Sequence, residues 1–330
     1  MAPAMTPLPV PPVIPGLTWR PWSLGDIDAL IRHVLRVHEA ERLDHVAGAE
    51  SYRWFASQEW IDLRTDTLIA CDASGEVRAE ASVFSQVTDL GGRAFLSTEA
   101  APPFTHLRPY LIAWAEARAR QILAAVPPGL DRVIRSGVEE HRGAFRKELE
   151  DAGFELARSF ATMRRSLSDL PAPPPLPAGV SVEPWSAERD EATRLANNES
   201  FADHWGTFPM SEQMWASSYR ESETFRPDLS FVAVASEGVV SFCMVEVEEH
   251  ENARTGHREV YIQRVGTLRT HRRQRLASHL MVRTLEAAAA QAMDRAALDV
   301  DESSHTNAGD VYLRLGFAVR KRSIHYLKQA

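Results

Sequence analysis

Two short stretches of this chain recur at one fixed distance, and that repeat constrains the fold more than any other feature. Gly16–Ser23 (GLTWRPWS) reads against Gly179–Ser186 (GVSVEPWS), and Ala152-Gly153-Phe154 against Leu315-Gly316-Phe317; both comparisons need an offset of 163 residues. A register kept over the length of a domain points to duplication. Between the copies lies Pro171–Pro177 (PAPPPLP), stiff, extended and unable to join a central strand. The 330-residue chain therefore reads as a leader (1–15), a first domain (16–168), a linker (169–178) and a second domain (179–330). Each domain is close to the ~150 residues that one core commonly supports.

The same order of elements is expected in each half. A first strand (17–21 and 180–184) leads to a helix opened by Ser23 or Ser186, with acidic residues close behind, as N-caps and the helix dipole favour. A hairpin follows, turning at Ser74-Gly75 or Glu237-Gly238 between apolar runs. A third strand feeds a loop and a long helix, and a further strand (133–135; 297–300) comes next. A short helix then ends at Gly153 or Gly316, where glycine is the expected C-cap. A final strand pair closes each half. The fold class is α/β with a mixed sheet, built twice.

The leader Met1–Pro15 is rich in proline and lacks the charged and apolar regions of a secretory signal. It is expected to be flexible and partly polyproline II. No apolar run approaches the length that spans a bilayer. Cys71 and Cys243 are too few for a disulfide framework or a thiolate metal site, and Cys243 is expected to pack in the core. These features predict a reduced, cytoplasmic setting and no membrane partner.

The chemistry concentrates between Val265 and Met293. Glu259–Thr267 is rich in β-branched and aromatic residues, as a half-buried strand should be. Leu276, Leu280, Leu285, Ala288 and Ala292 recur at helical spacing, marking one buried face. Between them runs Arg272-Arg273-Gln274-Arg275-Leu276-Ala277. A strand passing through a tight basic loop into a helix N-terminus gathers amide N–H groups and positive charge, which suits an anion and phosphate above all. The plainer explanation is a solvated cationic face, since Arg264, Arg269, Arg272, Arg273, Arg275 and Arg283 crowd together. Nucleic acid is argued against by a net charge of −8.

Arg272-x-x-Arg275-Leu276-Ala277 resembles the R/Q-x-x-G-x-G/A signature of the Gcn5-related N-acetyltransferases (GNAT family), which cradle the pyrophosphate of acetyl-CoA. Arg275 departs from the family's glycine. It is expected to take ordinary helical geometry and to add a cation, altering the site without abolishing it. Residues 307–317 resemble the family's N-x-x-A-x-x-L-Y-x-x-L-G-F segment, with His305 where its asparagine would fall and Asn307 nearby. Ala308, Val311 and Leu315 share a face, and Tyr312, about 100° from Val311, can aim at the cofactor sulfur; core packing is the bland alternative. The architecture is similar to actinobacterial tandem members of the family, including those of mycothiol and clavulanic acid biosynthesis. The resemblance implies two tandem GNAT domains, each a twisted mixed sheet flanked by helices. It implies acetyl-CoA or another acyl-CoA as cofactor and a small-molecule amine as acceptor. A monomer or homodimer is expected.

On this resemblance the cofactor contacts are Val265, Gly266, Thr267, Arg272, Arg273, Gln274, Arg275, Leu276, Ala277, Ser278 and Asn307. Amides between Val265 and Thr267 would stabilise the oxyanion, and Tyr312 would protonate the leaving thiolate. Glu246 and Glu248, alternating on the preceding strand, would relay a proton from the acceptor ammonium, although a solvated edge explains either one as well. Tyr261 and Gln263 would line the acceptor cleft. So would His204 and Trp205, for which helix-junction packing is an equal reading. The first half is eroded: Leu149 stands at the offset of Tyr312, and the loop Pro102–Tyr110 has no glycine. Its candidate cofactor contacts are Ser97, Thr98, Thr105, His106, Arg108 and Tyr110, with Thr105 capping the next helix and Pro109 in its first turn. It would hold acyl-CoA without turnover, or nothing. Glu139–His141 and Glu248–His250 are polar runs rather than a metal motif. A non-catalytic acyl-CoA-binding protein and a peptide N-terminal acetyltransferase are the other readings.

Overall fold

A computed structural model of the protein describes residues 7–43, 45–205, 207–303 and 308–330. The chain forms two compact units, one of residues 1–159 with 322–330 and the other of residues 160–321. The duplication is visible in backbone geometry: Gly16 and Gly179 have φ of 80° and 78°, and Gly153 and Gly316 have 81° and 84°. A residue without a Cβ suits each of these left-handed positions.

In the first unit the elements are β1 (Leu17–Arg20), α1 (Ile27–Glu41), α2 (Ala49–Ser57), α3 (Leu63–Asp66), β2 (Thr67–Asp72), β3 (Val77–Thr88), β4 (Gly91–Ala100), α4 (Arg108–Leu123), β5 (Arg132–Glu139) and α5 (Gly143–Asp151). The strands follow chain order in the sheet, antiparallel except for the parallel pair β4–β5. The expected hairpin turns at Gly75. Helix α4 buries Leu111, Ile112, Ala115 and Leu123 in the core, the leucines and isoleucine worth roughly 2 kcal/mol each.

The second unit repeats the plan: β7 (Ser181–Pro184), α6 (Asp190–Ser200), α7 (Glu212–Ser218), β8 (Phe231–Ala235), β9 (Gly238–Glu246), α8 (Glu249–Thr255), β10 (Glu259–Thr267), α9 (Leu276–Ala290), β11 (Arg295–Asp301) and α10 (Ala308–Arg314). Here β10–β11 is the parallel pair. Leu276, Leu280, Leu285 and Ala288 lie in the core as their spacing predicts. Ala292 does not, because α9 ends at Ala290 and Ala292 turns left-handed (φ 60°). Cys243 is fully buried, with the Thr284 hydroxyl donating to its sulfur at 3.4 Å.

Three expectations change. A single long strand, not a pair, follows each terminal helix: β6 (Glu155–Ser166) and β12 (Ala318–Gln329). Each serves the other half of the sequence, since residues 160–166 pair with β11 and residues 323–329 with β5. Alternation marks a strand but carries no information about its partner, so contiguous halves were the natural reading. The leader is also docked rather than free over its described part. Leu8 and Ile14 pack on the first core, Trp19 donates to the Pro12 carbonyl at 3.0 Å, and Tyr110 donates to that of Pro9 at 3.3 Å. The linker is likewise held in the second unit, with Leu170 and Leu176 on its core and His279 Nδ1 2.6 Å from the Pro174 carbonyl.

Candidate active site

In the second unit β10 and β11 pair only from Glu259 to Tyr261, although β10 continues to Thr267 and β11 to Asp301. Beyond Tyr261 the strands part, leaving one edge of β10 without a ladder partner. Leu268 N–H bonds the Val240 carbonyl at 2.9 Å, so by alternation Gly266 also faces β9 while the amides of Val265 and Thr267 point into the gap. Gly266 therefore serves packing: a Cβ there would come within 2.3 Å of the Phe242 ring. Asparagine 307 and His305 lie outside the described residues.

The basic loop closes one end of this gap. Arg272 is turned inward, its Nε donating to the Thr267 carbonyl at 3.3 Å and its Nη2 to that of Ser200 at 3.0 Å. It fastens the loop to α6 rather than standing free. Arg273, Gln274 and Arg275 are exposed. Arg275 does not adopt helical geometry as expected; with φ 60° and ψ 19° it keeps the left-handed backbone a glycine would have, and Arg273 does the same at φ 65°. The chain must reverse between Thr267 and α9, and that turn overrides the residue's own preference at about 1–2 kcal/mol. The first bond within α9 runs from His279 N–H to the Arg275 carbonyl. The amides of Leu276, Ala277 and Ser278 thus head a helix of 15 residues with its positive dipole end exposed. The Leu276 side chain is buried in the core.

Tyr312 packs on the second core with its ring edge-on to Phe317, centroids 6.3 Å apart. Burial pushes its phenol up to about 12, helped by the nearby Cys243. It stays a protonated donor throughout the physiological range. Leu149, at the corresponding place in the first unit, is wholly buried.

On the opposite face of the sheet, β10 carries a bulge between Ile262 and Arg264. The extra residue is Gln263, and the bulge keeps Tyr261 and Arg264 on one face. Glu246 is directly opposite Tyr261 on β9 and accepts from Thr224 Oγ1 at 3.4 Å. Glu248 is not on that strand: β9 ends at Glu246, and Glu248 occupies the N-cap position of α8, 3.7 Å from His250. Burial and the Asp299 carboxylate hold the Tyr261 phenol well above its usual range. His204 Nδ1 meets the Trp205 carbonyl at 3.1 Å, and its ring lies edge-on to Phe201. Both His204 and Trp205 sit in the connection after α6, which Arg269 ties down through Asp203.

The first unit has the same parting of strands and fills it differently. β4 and β5 pair only to Leu96 and Ser136. Across the gap Arg142 grips both oxygens of Glu99 at 2.7 Å and also bonds Glu41 at 2.7 Å. Arg108 is no free cation; buried, it bonds Glu41 at 2.6 Å and Glu148 at 2.8 Å. Both guanidiniums stack on Phe145, beside a cavity of about 460 Å³. Thr105 does not cap α4, whose N-cap position is Leu107, whereas Pro109 does occupy the first turn. Tyr110 lies edge-on to Trp19 and binds the leader. His106 is exposed, Nδ1 3.2 Å from the Pro103 carbonyl. Ser97 is exposed, while the Thr98 hydroxyl is buried and has no partner among the described residues. The Glu41–Glu99–Arg142 lattice escaped sequence reading because its members are scattered over a hundred residues.

Known proteins resemble this geometry over one stretch in particular. Residues 193–317 match the model of the Acetyltransferase (GNAT) family. Over that stretch the second unit is similar to the GNAT acetyltransferases. Two relatives, both mycothiol acetyltransferases, come from Streptomyces griseus and Kineococcus radiotolerans. They are 31% identical over 63% of this chain and 66% of their own, and 32% identical over 53% and 55%. The chain thus spans less than two thirds of the length of these relatives. Among solved structures, a GCN5-related N-acetyltransferase from Sphaerobacter thermophilus shares the fold at a TM-score of 0.75 and 21% identity, covering 96% of this chain and 97% of that one. A tandem GNAT protein from the clavulanic acid biosynthesis pathway does so at 0.66 and 15%, covering 95% and 98%. The fold that the resemblance implied, a mixed α/β sheet flanked by helices and built twice, is therefore found. No helix among the described residues is long and apolar enough to cross a membrane.

Proposed function

We propose that the second unit transfers an acyl group, acetyl in the simplest case, from acyl-CoA to the amine of a small molecule, and that the first unit is a non-catalytic partner. The carrying observation is the parted edge of β10, which ends at an exposed helix N-terminus flanked by Arg273 and Arg275. An anionic diphosphate suits that terminus, and the Val265 and Thr267 amides suit the developing oxyanion. Those residues fit the cofactor. When bound, it would supply an activated thioester carbonyl.

The amine nitrogen attacks that carbon, the C–S bond breaks, and the sulfur takes a proton as it leaves. Tyr312 is the donor we assign to that proton, and its high pKa keeps it loaded. Glu246 is the carboxylate we assign to receive the ammonium proton, directly or through water; Glu248 shares this role less well from a helix cap. Support for a small-molecule acceptor comes from relatives whose names specify one. In the first unit the gap is bridged by Arg142 and Glu99 and has leucine in place of the phenol, which favours a structural role. The test is acetyl-CoA turnover over a panel of amines with wild-type protein and Tyr312→Phe. Turnover that falls with acetyl-CoA affinity intact supports the scheme; unchanged turnover in the variant refutes the role of Tyr312.

A further inference from the structure

The bulge at Gln263 delivers one more group to the acceptor face that the acyl-transfer scheme does not use. Arg264 is half-buried beside Tyr261, with its guanidinium 5.1 Å from the centre of the Phe201 ring and Nη1 3.4 Å from Asn197 Oδ1. Asn197 is wholly buried and Tyr219, which Arg264 also adjoins, is nearly so. These contacts hold the guanidinium in place without neutralising it. Several half-buried arginines of the unit are matched by acids, Arg226 by Asp228, Arg254 by Glu251 and Arg295 by Glu259, and Arg272 by the carbonyls of Thr267 and Ser200. Among the described residues no such ion pair is found for Arg264. Keeping an unmatched cation partly out of water costs free energy, which a bound anion would return. Glu246 stands on the same face, and the Tyr219 hydroxyl lies within electrostatic reach of both Glu246 and Arg264.

We infer that Arg264 is the anchor for a carboxylate on the acceptor, so that the substrate is an amino acid or a similar amine bearing a carboxylate close to its nitrogen. The guanidinium fork matches a carboxylate in geometry as well as in charge. Glu246, on the adjacent strand, meets the ammonium end of the same zwitterion. This assignment rests on the acyltransferase reading and adds the acceptor class to it.

The experiment uses the full chain and matched acceptor pairs, free amino acids and their C-terminal amides, assayed for acetyl transfer and for binding to the CoA-saturated protein. Acids should be preferred over their amides by about 10- to 100-fold, the range expected for a charge-assisted pair. Arg264→Gln should erase that preference through KM, leaving acetyl-CoA affinity unchanged, and Arg264→Lys should restore part of it. Equal use of acids and amides overturns the inference, as does an Arg264→Gln protein that still prefers acids. Acetyl-CoA binding without binding of any amino acid overturns it too. Failure to bind acetyl-CoA at all would instead remove the reading beneath it.

Discussion

Glu80 offers a quantitative test of how the first unit is packed. It lies on β3 directly opposite Glu99 on β4 and is 4% exposed, with Oε2 lacking a partner among the described residues. Burial, and then the charge of Glu99, push its carboxyl up to about 7. Buried Tyr52 faces the same two acids, and Arg142 remains engaged with Glu99. An unfolded chain releases this proton near pH ~4.5, so between there and pH 7 the folded state holds a proton that the unfolded state has lost. Stability therefore falls as pH rises through that window and levels off above 7. A rise of roughly 2.5 units at 1.36 kcal/mol each makes the full loss about 3 kcal/mol. Glu80→Gln removes the ionisation. Relative to wild type it should gain up to about 3 kcal/mol at pH 8 and much less at pH 5, read from denaturant unfolding at each pH. A difference between the two proteins that stays constant from pH 5 to pH 8 would refute the reasoning.

Three further outcomes follow from the second unit. Tyr312→Phe should lower kcat by about 10²- to 10⁴-fold, the range for a lost general acid, with acetyl-CoA binding by calorimetry unchanged. Gly266→Ala places a Cβ 2.3 Å from Phe242 and should cost about 1–3 kcal/mol as overpacking, measurable as a lower melting temperature. Arg275→Gly relieves a left-handed arginine, but the added freedom of the unfolded chain offsets about 0.4–1 kcal/mol of the gain. Stability should then stay within about 1 kcal/mol of wild type, whereas the β-branched Arg275→Val should lose about 2 kcal/mol in the same melts.

The repeat, the hairpins, the C-cap glycines and the buried stripe of α9 were legible because each is a local pattern with a local cause. Apolar spacing placed Leu276, Leu280 and Leu285 in the core, and Gly153 and Gly316 marked left-handed turns. Partnership across the chain was not legible. Nothing local in residues 160–166 or 323–329 says which strand they join, and nothing local to Arg108, a candidate cofactor contact, says that the fold brings Glu41 and Glu148 beside it. Arg275 misled for a related reason, since its own preference is helical and the turn it sits in is set by the elements on either side. The bulge at Gln263 was equally silent, yet it decides that Tyr261 and Arg264 share a face.

The most direct test of the account is a calorimetric titration of acetyl-CoA into the intact protein, repeated with Arg273→Glu/Arg275→Glu and, as a first-unit control, His106→Ala. One equivalent should bind per chain, the charge reversals should weaken it by at least about tenfold, and His106→Ala should leave it unchanged. Binding that survives the charge reversals, or a heat that disappears with His106→Ala, would contradict a cofactor held at the head of α9.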